Sequence, residues 1–98
     1  YQLNNITNKI MDNYTRVLDE CKKIAVERQT QYGEALESIK NVSEILSSTF
    51  DLNLDKSQIC KVMISLKMAR SKKEFHRDSW IDIVNYICIL IHNEDDKR

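Results

Sequence analysis

Glycine and proline are nearly missing from this chain. Gly33 is the single glycine among 98 residues, and no proline occurs. β-Hairpins and Greek-key connections rely on these two residues in their tight turns, and glycine-rich phosphate loops need at least two glycines. The composition therefore argues against a β-sandwich, a P-loop and a dinucleotide-binding turn, and it predicts an all-α protein.

Apolar residues recur every three or four positions, which is the period of amphipathic helices. The first helix is predicted over about residues 5–31, with a heptad-like stripe made of Ile10, Tyr14, Val17, Cys21 and Ile24. Such a stripe is either the spine of a helix bundle or a dimer seam, and its two clean heptads favour the bundle spine. Gly33 is expected to form a left-handed cap after this helix, and the second helix is expected over residues 34–50.

A third predicted helix runs from Lys56 to about Arg70. Asp55 and Gln58 have the spacing of a capping box at its start. Its expected core positions are Ile59, Val62, Met63, Leu66 and Ala69. The loop before it is predicted over residues 51–54.

The fourth helix is expected from Trp80 to about His92, after a mostly basic connector over residues 71–77. Asp78 or Ser79 is the predicted N-cap. Apolar residues cover most of the helix circumference, which is typical of a helix surrounded by others. Because the apolar run is short and contains polar residues, it is not expected to span a membrane. We therefore expect a four-helix, bundle-like fold with this helix at its centre.

The length of the chain predicts one domain over residues 1–98, with frayed ends at residues 1–4 and 93–98. A chain of this size buries only about 60–65% of its unfolded surface. Because such a core is marginal, we expect self-association into a homodimer or homotetramer.

The formal net charge is zero, with 15 basic and 15 acidic residues. This balance does not favour duplex nucleic acid as a partner, since duplex binders are usually basic. The distribution is uneven, however: residues 56–77 carry seven basic side chains and one acidic one, between two acidic segments. Either the acidic helices neutralise this segment, or it binds an anion such as phosphate.

The three cysteines, Cys21, Cys60 and Cys88, are odd in number, widely spaced and set among apolar residues. Free cysteine in such surroundings behaves as a small hydrophobic residue. We therefore expect reduced core cysteines in a cytoplasmic protein, and the absence of a C-x-x-C pair argues against a structural zinc site.

Two acidic pairs are candidate metal ligands. Asp78 and Asp82 lie four residues apart on the fourth predicted helix, where a buried carboxylate needs a partner. Glu34 and Glu37 form an E-x-x-E pattern and lie on one side of the second helix. The structural alternatives are an N-cap role for Asp78, an ion pair for Asp82, and a solvated face for the glutamates.

Lys67 and Arg70 lie three residues apart near the end of the third predicted helix. Cations are stabilised there by the helix dipole, and either residue could pair with Asp82. Together they also suit phosphate, because arginine supplies a bidentate fork. Trp80 and Tyr86 are either core residues or rings that stack on a base.

Three motifs, in order along the chain, carry a resemblance to a known family: Tyr32-Gly33 followed by Glu37, then Lys67-Met68-Ala69-Arg70, then Asp78-Ser79-Trp80-Ile81-Asp82 with Tyr86. The pattern covers roughly residues 28–91 and resembles a family of small phage-encoded proteins. More distantly, it is similar to the MazG-type all-α NTP pyrophosphohydrolases. Those enzymes hold Mg²⁺ between E-x-x-E on one helix and E-x-x-D on a later one, and they act as dimers or tetramers.

This resemblance implies residue roles. The implied Mg²⁺ ligands are Glu34, Glu37, Asp78 and Asp82. Glu37 and Asp82 are the implied catalytic residues, and Lys67 and Arg70 are the implied phosphate-binding residues. Ser79 stands where the family has the glutamate of E-x-x-D, and Asp78, one turn before Asp82, is a carboxylate that can substitute for it.

Three functions remain open at this point. The first is a Mg²⁺-dependent NTP or dNTP pyrophosphohydrolase, located in the host cytoplasm if the protein is phage-encoded. The second is a non-catalytic nucleotide-binding protein, such as an anti-defence sponge for a host signalling nucleotide. The third is a helical protein-interaction module in which all four acidic residues are structural.

Overall fold

The computed structural model describes the backbone of residues 2–27 and 29–97 and the side chains of residues 4–27 and 35–97. In this part of the chain there are four helices and no strand, which confirms the all-α prediction. The helices are α1 (Gln2–Glu27), α2 (Gln29–Phe50), α3 (Lys56–Arg70) and α4 (Arg77–Asp96). None of them, over the described residues, is long and apolar enough to cross a membrane. The molecule is elongated, with extents of 58 × 32 × 27 Å.

The first two helices meet earlier than the sequence predicts. Because α2 begins at Gln29, Gly33 lies inside this helix, and no described glycine has a positive φ. The expected left-handed cap at Gly33 is therefore wrong. Glycine also adopts ordinary helical dihedrals, at a cost of about 1 kcal/mol relative to alanine, so its presence did not force a break.

The turn between α2 and α3 has the predicted loop and cap. Asp51, with φ of 54°, reverses the chain after α2. At the start of α3, an Asp55 carboxylate oxygen accepts a hydrogen bond from the Gln58 backbone N–H at 2.8 Å. The Gln58 side-chain oxygen in turn accepts from the Asp55 backbone N–H at 3.0 Å. This reciprocal pair confirms the predicted capping box.

The start of α4 differs from the prediction. The helix begins at Arg77 with His76 at the N-cap, so the expected N-cap role of Asp78 or Ser79 is wrong. The Ser79 backbone N–H donates to the His76 carbonyl, and the Ser79 hydroxyl lies 2.6 Å from His76 Nδ1. Ser79 thus bonds back to the preceding turn from inside the helix. The helix also extends past its predicted end, to Asp96.

The core lies where α2, α3 and α4 meet. Its buried residues are Ile39, Ile59, Cys60 and Ile89. α3 and α4 form an antiparallel hairpin that is joined at both ends. Asn93, late in α4, donates to Ser57 at the start of α3 at 2.6 Å, and Lys67, late in α3, bonds to Asp82 near the start of α4.

Several predicted core residues lie at the surface instead. Leu66 is 56% exposed, and Ala69 and Cys88 are also exposed. On α4, Ile87 and Ile91 are 39% and 53% exposed, so this helix is enclosed on one side rather than all round. A single short chain has too few helices to cover every apolar face of a hairpin. The three cysteines are free, as expected, but only two of them are buried.

Among the described side chains of α1, those that pack against the rest of the protein belong to its C-terminal part. Cys21 is buried and Ile24 is half-buried, whereas Ile10 is 47% and Tyr14 58% exposed. The expectation that the whole stripe forms a bundle spine is therefore wrong for the N-terminal half of the helix. The C-terminal part is also held electrostatically, since the Arg77 guanidinium donates two hydrogen bonds to the Glu20 carboxylate.

Candidate functional site

The Lys67 and Asp82 side chains form an ion pair between α3 and α4. The Lys67 ammonium donates to Asp82 Oδ2 at 2.9 Å, and the two side chains are 17% and 27% exposed. The sequence placed an ion pair at Asp82 with either Lys67 or Arg70, and Lys67 is a partner. The antiparallel hairpin brings these residues together although fifteen positions separate them. Asp82 has a further interaction beyond this pair.

The connector between α3 and α4 is ordered around Ser71. Its hydroxyl accepts hydrogen bonds from the Trp80 indole N–H at 2.9 Å and from the His76 backbone N–H at 2.7 Å, and it donates to the Glu74 carbonyl at 3.3 Å. These bonds turn the chain back sharply. As a result, the basic end of α3 lies beside the acidic start of α4.

A cavity of about 610 Å³ lies between α1, α2 and α4, and both members of the ion pair, Asp82 of α4 and Lys67 of α3, line it. Its wall is mostly apolar, and its polar groups belong to Lys22, Ser38, the Lys67–Asp82 pair, Asn85 and Tyr86. The lining residues are Leu18, Cys21, Lys22, Ala25, Ala35, Ser38, Lys67, Asp82, Val84, Asn85, Tyr86, Cys88 and Ile89. Small-molecule sites commonly measure about 300–1,000 Å³ and combine apolar walls with a few polar groups. This cavity has both properties.

Burial and nearby charge raise the pKa of two groups in the cavity wall, Tyr86 and Cys21. Burial, with a further contribution from the Asp82 carboxylate, raises the pKa of Tyr86. The phenol therefore stays protonated at neutral pH and can donate a hydrogen bond. Burial, followed by the nearby Glu20 carboxylate, raises the pKa of the Cys21 thiol. A protonated thiol is a poor nucleophile, so Cys21 contributes apolar surface rather than reactivity.

A smaller recess of about 350 Å³ adjoins the cavity at Asp82. It is lined by Ile24, Arg70, His76, Asp78, Ser79, Ile81 and Asp82. Arg70 and Asp78 are exposed, so both side chains are accessible from solvent. The structure thus places Lys67 and Arg70 at one end of the hairpin with Asp78 and Asp82.

The four implied metal ligands are only partly brought together. Asp78 and Asp82 share the recess, whereas Glu37 is exposed on α2 and lines neither the recess nor the cavity. The Glu34 side chain lies outside the described residues. Among those that are described, no three histidine, cysteine, aspartate or glutamate side chains are grouped so as to hold a metal. Among the described side chains, the implied ligands therefore do not come together as one set, and only Asp78 and Asp82 share a pocket.

The two aromatic candidates have different surroundings. Tyr86 lines the cavity and packs against the core, so its ring can contact a bound ligand. Trp80 is 38% exposed, lines neither the cavity nor the recess, and is bonded to Ser71. Stacking on a base therefore remains a prediction for both residues, and the geometry favours Tyr86.

Most residues of the cavity wall, Asn85 among them, were not predicted as site residues, and neither was the contact of Glu20 with Arg77 beside the cavity wall residue Cys21. Asn85 lies three positions after Asp82, so both residues lie on one face of α4, and that spacing could have identified Asn85 as a cavity residue. Glu20 forms a hydrogen bond with Arg77, which lies 57 positions later in the sequence, and no short-range sequence pattern predicts such a contact.

The chain belongs to a family described as a domain of unknown function, DUF6378, whose model matches residues 16–93. The matched range contains every residue of the cavity and of the recess. It leaves out most of the exposed N-terminal half of α1. No match was found among curated proteins or among solved structures.

Proposed function

We propose that this protein binds a nucleotide in the cavity between α1, α2 and α4. The observation that carries the proposal is a largely apolar cavity of about 610 Å³ that has Lys67 in its wall. A base and sugar would lie against the apolar wall and the Tyr86 ring. Asn85 would supply hydrogen bonds to the base edge, because an amide offers both donors and an acceptor.

The phosphates would follow the end of α3, from Lys67 in the cavity to Arg70 in the adjoining recess. Lys67 supplies a point charge, whereas the Arg70 guanidinium can bind two phosphate oxygens at once. The Asp82 carboxylate lines both the cavity and the recess and would repel an anion. Because this repulsion grows with the charge of the ligand, a singly charged or cyclic phosphate fits the site better than a triphosphate that has no counter-ion.

A second candidate function is Mg²⁺-dependent hydrolysis of a nucleoside triphosphate, as the MazG resemblance implies. The observation in its favour is that Asp78, Asp82 and Arg70 line one recess. Phosphoryl chemistry with Mg²⁺ uses one or two carboxylates together with phosphate oxygens. Of the four implied Mg²⁺ ligands, only Asp78 and Asp82 line this recess. We therefore place nucleotide cleavage second to nucleotide binding.

The proposal also includes an oligomeric state and a cellular location for the protein. We propose that the protein acts as a homodimer or homotetramer, because its core is small and many apolar side chains are exposed. The phage-type origin and the cytoplasmic location are carried by the resemblance and by the free cysteines.

Isothermal titration calorimetry against ribonucleotides, deoxyribonucleotides and cyclic nucleotides, with and without Mg²⁺, tests the proposal. We expect binding that weakens as salt rises and that is lost in Arg70→Ala. Lys73→Ala is the matched control, because it removes one exposed positive charge from the connector outside both pockets. If Arg70→Ala and Lys73→Ala weaken nucleotide binding equally, the ligand responds to the overall positive charge of the protein and not to a specific contact with Arg70.

Chromatography of the recovered ligand separates the two candidate functions. A binding protein returns the nucleotide unchanged, whereas a pyrophosphohydrolase releases monophosphate and pyrophosphate only when Mg²⁺ is present. Asp78→Asn should abolish such release and leave nucleotide binding intact, because Asp78 lines the recess but not the cavity. If no nucleotide binds under any condition, both candidates are wrong and the protein-interaction module remains.

A further inference from the structure

One face of α1 forms a wall of the cavity. Four residues of this helix line the cavity, and they are spaced three or four positions apart: Leu18, Cys21, Lys22 and Ala25. At 100° per residue they lie within an arc of about 100°, so they belong to a single helix face. Three of the four are apolar, and Lys22 is the charged one. A lysine at this position is therefore set among apolar side chains on the face that α1 presents to the cavity.

Lys22 makes no ion pair with any residue whose side chain the structure describes. Its neighbour Lys23 differs in two respects, since it pairs with Glu27 at 4.0 Å and does not line the cavity. Lys22 is exposed, and its flexible four-carbon stem lets the ammonium turn toward a ligand in the cavity. Its positive charge is therefore available to a bound anion.

The other charges of the cavity wall largely compensate each other. The charged residues that line the cavity are Lys22, Lys67 and Asp82. The Lys67 ammonium lies 2.9 Å from Asp82 Oδ2, so an anion that approaches Lys67 is also repelled by the Asp82 carboxylate. Contact with Lys22 adds an attraction that offsets this repulsion. Two cations and one carboxylate leave the cavity with one net positive charge, which suits a ligand with one negative charge.

We propose that Lys22 binds the negatively charged group of the ligand, so that a bound nucleotide joins α1 to the hairpin of α3 and α4. This inference rests on the proposed nucleotide binding and adds a residue to that site. The phosphate would contact Lys22 on the α1 wall and Lys67 on α3, while the base and sugar lie against the apolar wall. The ligand class that fits this charge is a cyclic mononucleotide.

Such a bridge would strengthen the attachment of α1. The described contacts that hold this helix include the buried Cys21 side chain and the exposed pair between Glu20 and Arg77. A ligand that binds the folded protein stabilises it by mass action, and the effect is largest where the ligand joins parts that otherwise open locally. We therefore expect a bound nucleotide to slow hydrogen exchange of the backbone amides in the C-terminal half of α1.

Isothermal titration calorimetry with the 3′,5′-cyclic monophosphates of adenosine, guanosine, cytidine and uridine tests the contact. We expect Lys22→Met to weaken the binding of a cyclic mononucleotide about tenfold or more, as the loss of a hydrogen bond to a charged group implies. Methionine retains an unbranched apolar stem, so the change isolates the loss of the ammonium. Lys22→Arg keeps the charge and should keep most of the affinity. The affinity of Lys22→Met should also depend less on salt than that of the wild type.

Lys23→Met is the matched control, because it removes the same charge from the next position of the same helix, outside the cavity. It should bind the nucleotide as the wild type does. If the wild type binds a nucleotide and Lys22→Met binds it equally well, or Lys23→Met weakens binding as much, the inference is wrong and the proposed function stands. Unchanged hydrogen exchange in α1 of the nucleotide-saturated wild type would likewise overturn the inference alone. A wild-type protein that binds no nucleotide overturns both.

Discussion

The Lys67 ammonium and the Asp82 carboxylate, 2.9 Å apart, join the end of α3 to the start of α4 at the boundary between the cavity and the recess. Both side chains are mostly shielded from water. A shielded ion pair stabilises a fold less than its geometry suggests, because both charges lose hydration, but removal of one partner leaves the other charge poorly compensated.

Replacing Lys67 with methionine should therefore destabilise the protein. Methionine retains an unbranched apolar stem, so the change isolates the loss of the ammonium. We expect the free energy of unfolding to fall by about 1–2 kcal/mol, measured by urea denaturation. In a double-mutant cycle, Asp82→Asn should lower the free energy of unfolding less in the Lys67→Met background than in the wild type. Strictly additive effects of the two changes would show that the pair has no energetic coupling.

This region also shows how far the sequence could predict the structure. The helix bounds of α3, its capping box and the ion pair at Asp82 were predicted, because each depends on contacts a few residues apart or on one short connector. The cavity was not predicted, since it requires Leu18 and Ala35 to lie opposite α4. Such long-range placement depends on how whole helices dock, and no local spacing encodes it.

The incorrect predictions concern apolar faces expected to be buried and residues expected to cap helices. They also arise because local sequence does not show how helices dock. Tyr14 and Leu66 fit an apolar helical period, but periodicity shows that a face is apolar without showing what covers it. In this chain those faces remain exposed. Gly33 and Ser79 were assigned to caps from residue preference, whereas both lie inside helices whose ends are set by neighbouring contacts.

Ser71→Ala should loosen the connector between α3 and α4. The change removes the acceptor for the Trp80 indole and for the His76 backbone N–H. We expect the fluorescence of Trp80, the only tryptophan, to shift to the red as its ring becomes more hydrated. Limited trypsin digestion should also cleave faster after Lys72 and Lys73.

Ser48→Ala provides the control for this change, because the Ser48 hydroxyl donates only to a carbonyl within its own helix turn at 3.4 Å. Its emission spectrum and cleavage rate should match those of the wild type. Identical trypsin rates for Ser71→Ala and Ser48→Ala would contradict the role assigned to Ser71.

The attachment of α1 to α4 should weaken in acid through Glu20. The Arg77 guanidinium, by its hydrogen bonds and its charge, lowers the pKa of the Glu20 carboxyl below its ordinary value. A group whose pKa is lowered by folding stabilises the fold above its unfolded pKa, and this contribution disappears as the pH falls through the folded pKa. We expect Glu20→Gln to melt below the wild type at pH 7 and to approach it at pH 3.

Salt and the reciprocal variant provide the checks on this effect. Because the pair is exposed, added salt should narrow the difference in Tm at pH 7. Arg77→Gln should lower the Tm at pH 7 in the same direction as Glu20→Gln. A Tm difference between wild type and Glu20→Gln that is the same at pH 3 and pH 7 would exclude titration of Glu20 as the cause.

The capping box at the start of α3 should make a measurable contribution to stability. Asp55→Ala removes the acceptor for the Gln58 backbone N–H, which then has no partner within the first turn of the helix. We expect a loss of about 1 kcal/mol in the free energy of unfolding, measured by urea denaturation with an unchanged slope. Asp55→Asn is the matched variant, because its side-chain oxygen can still accept this hydrogen bond, and it should retain most of the stability. Equal losses in the two variants would show that the charge of Asp55 at the helix N-terminus, rather than its hydrogen bond, stabilises α3.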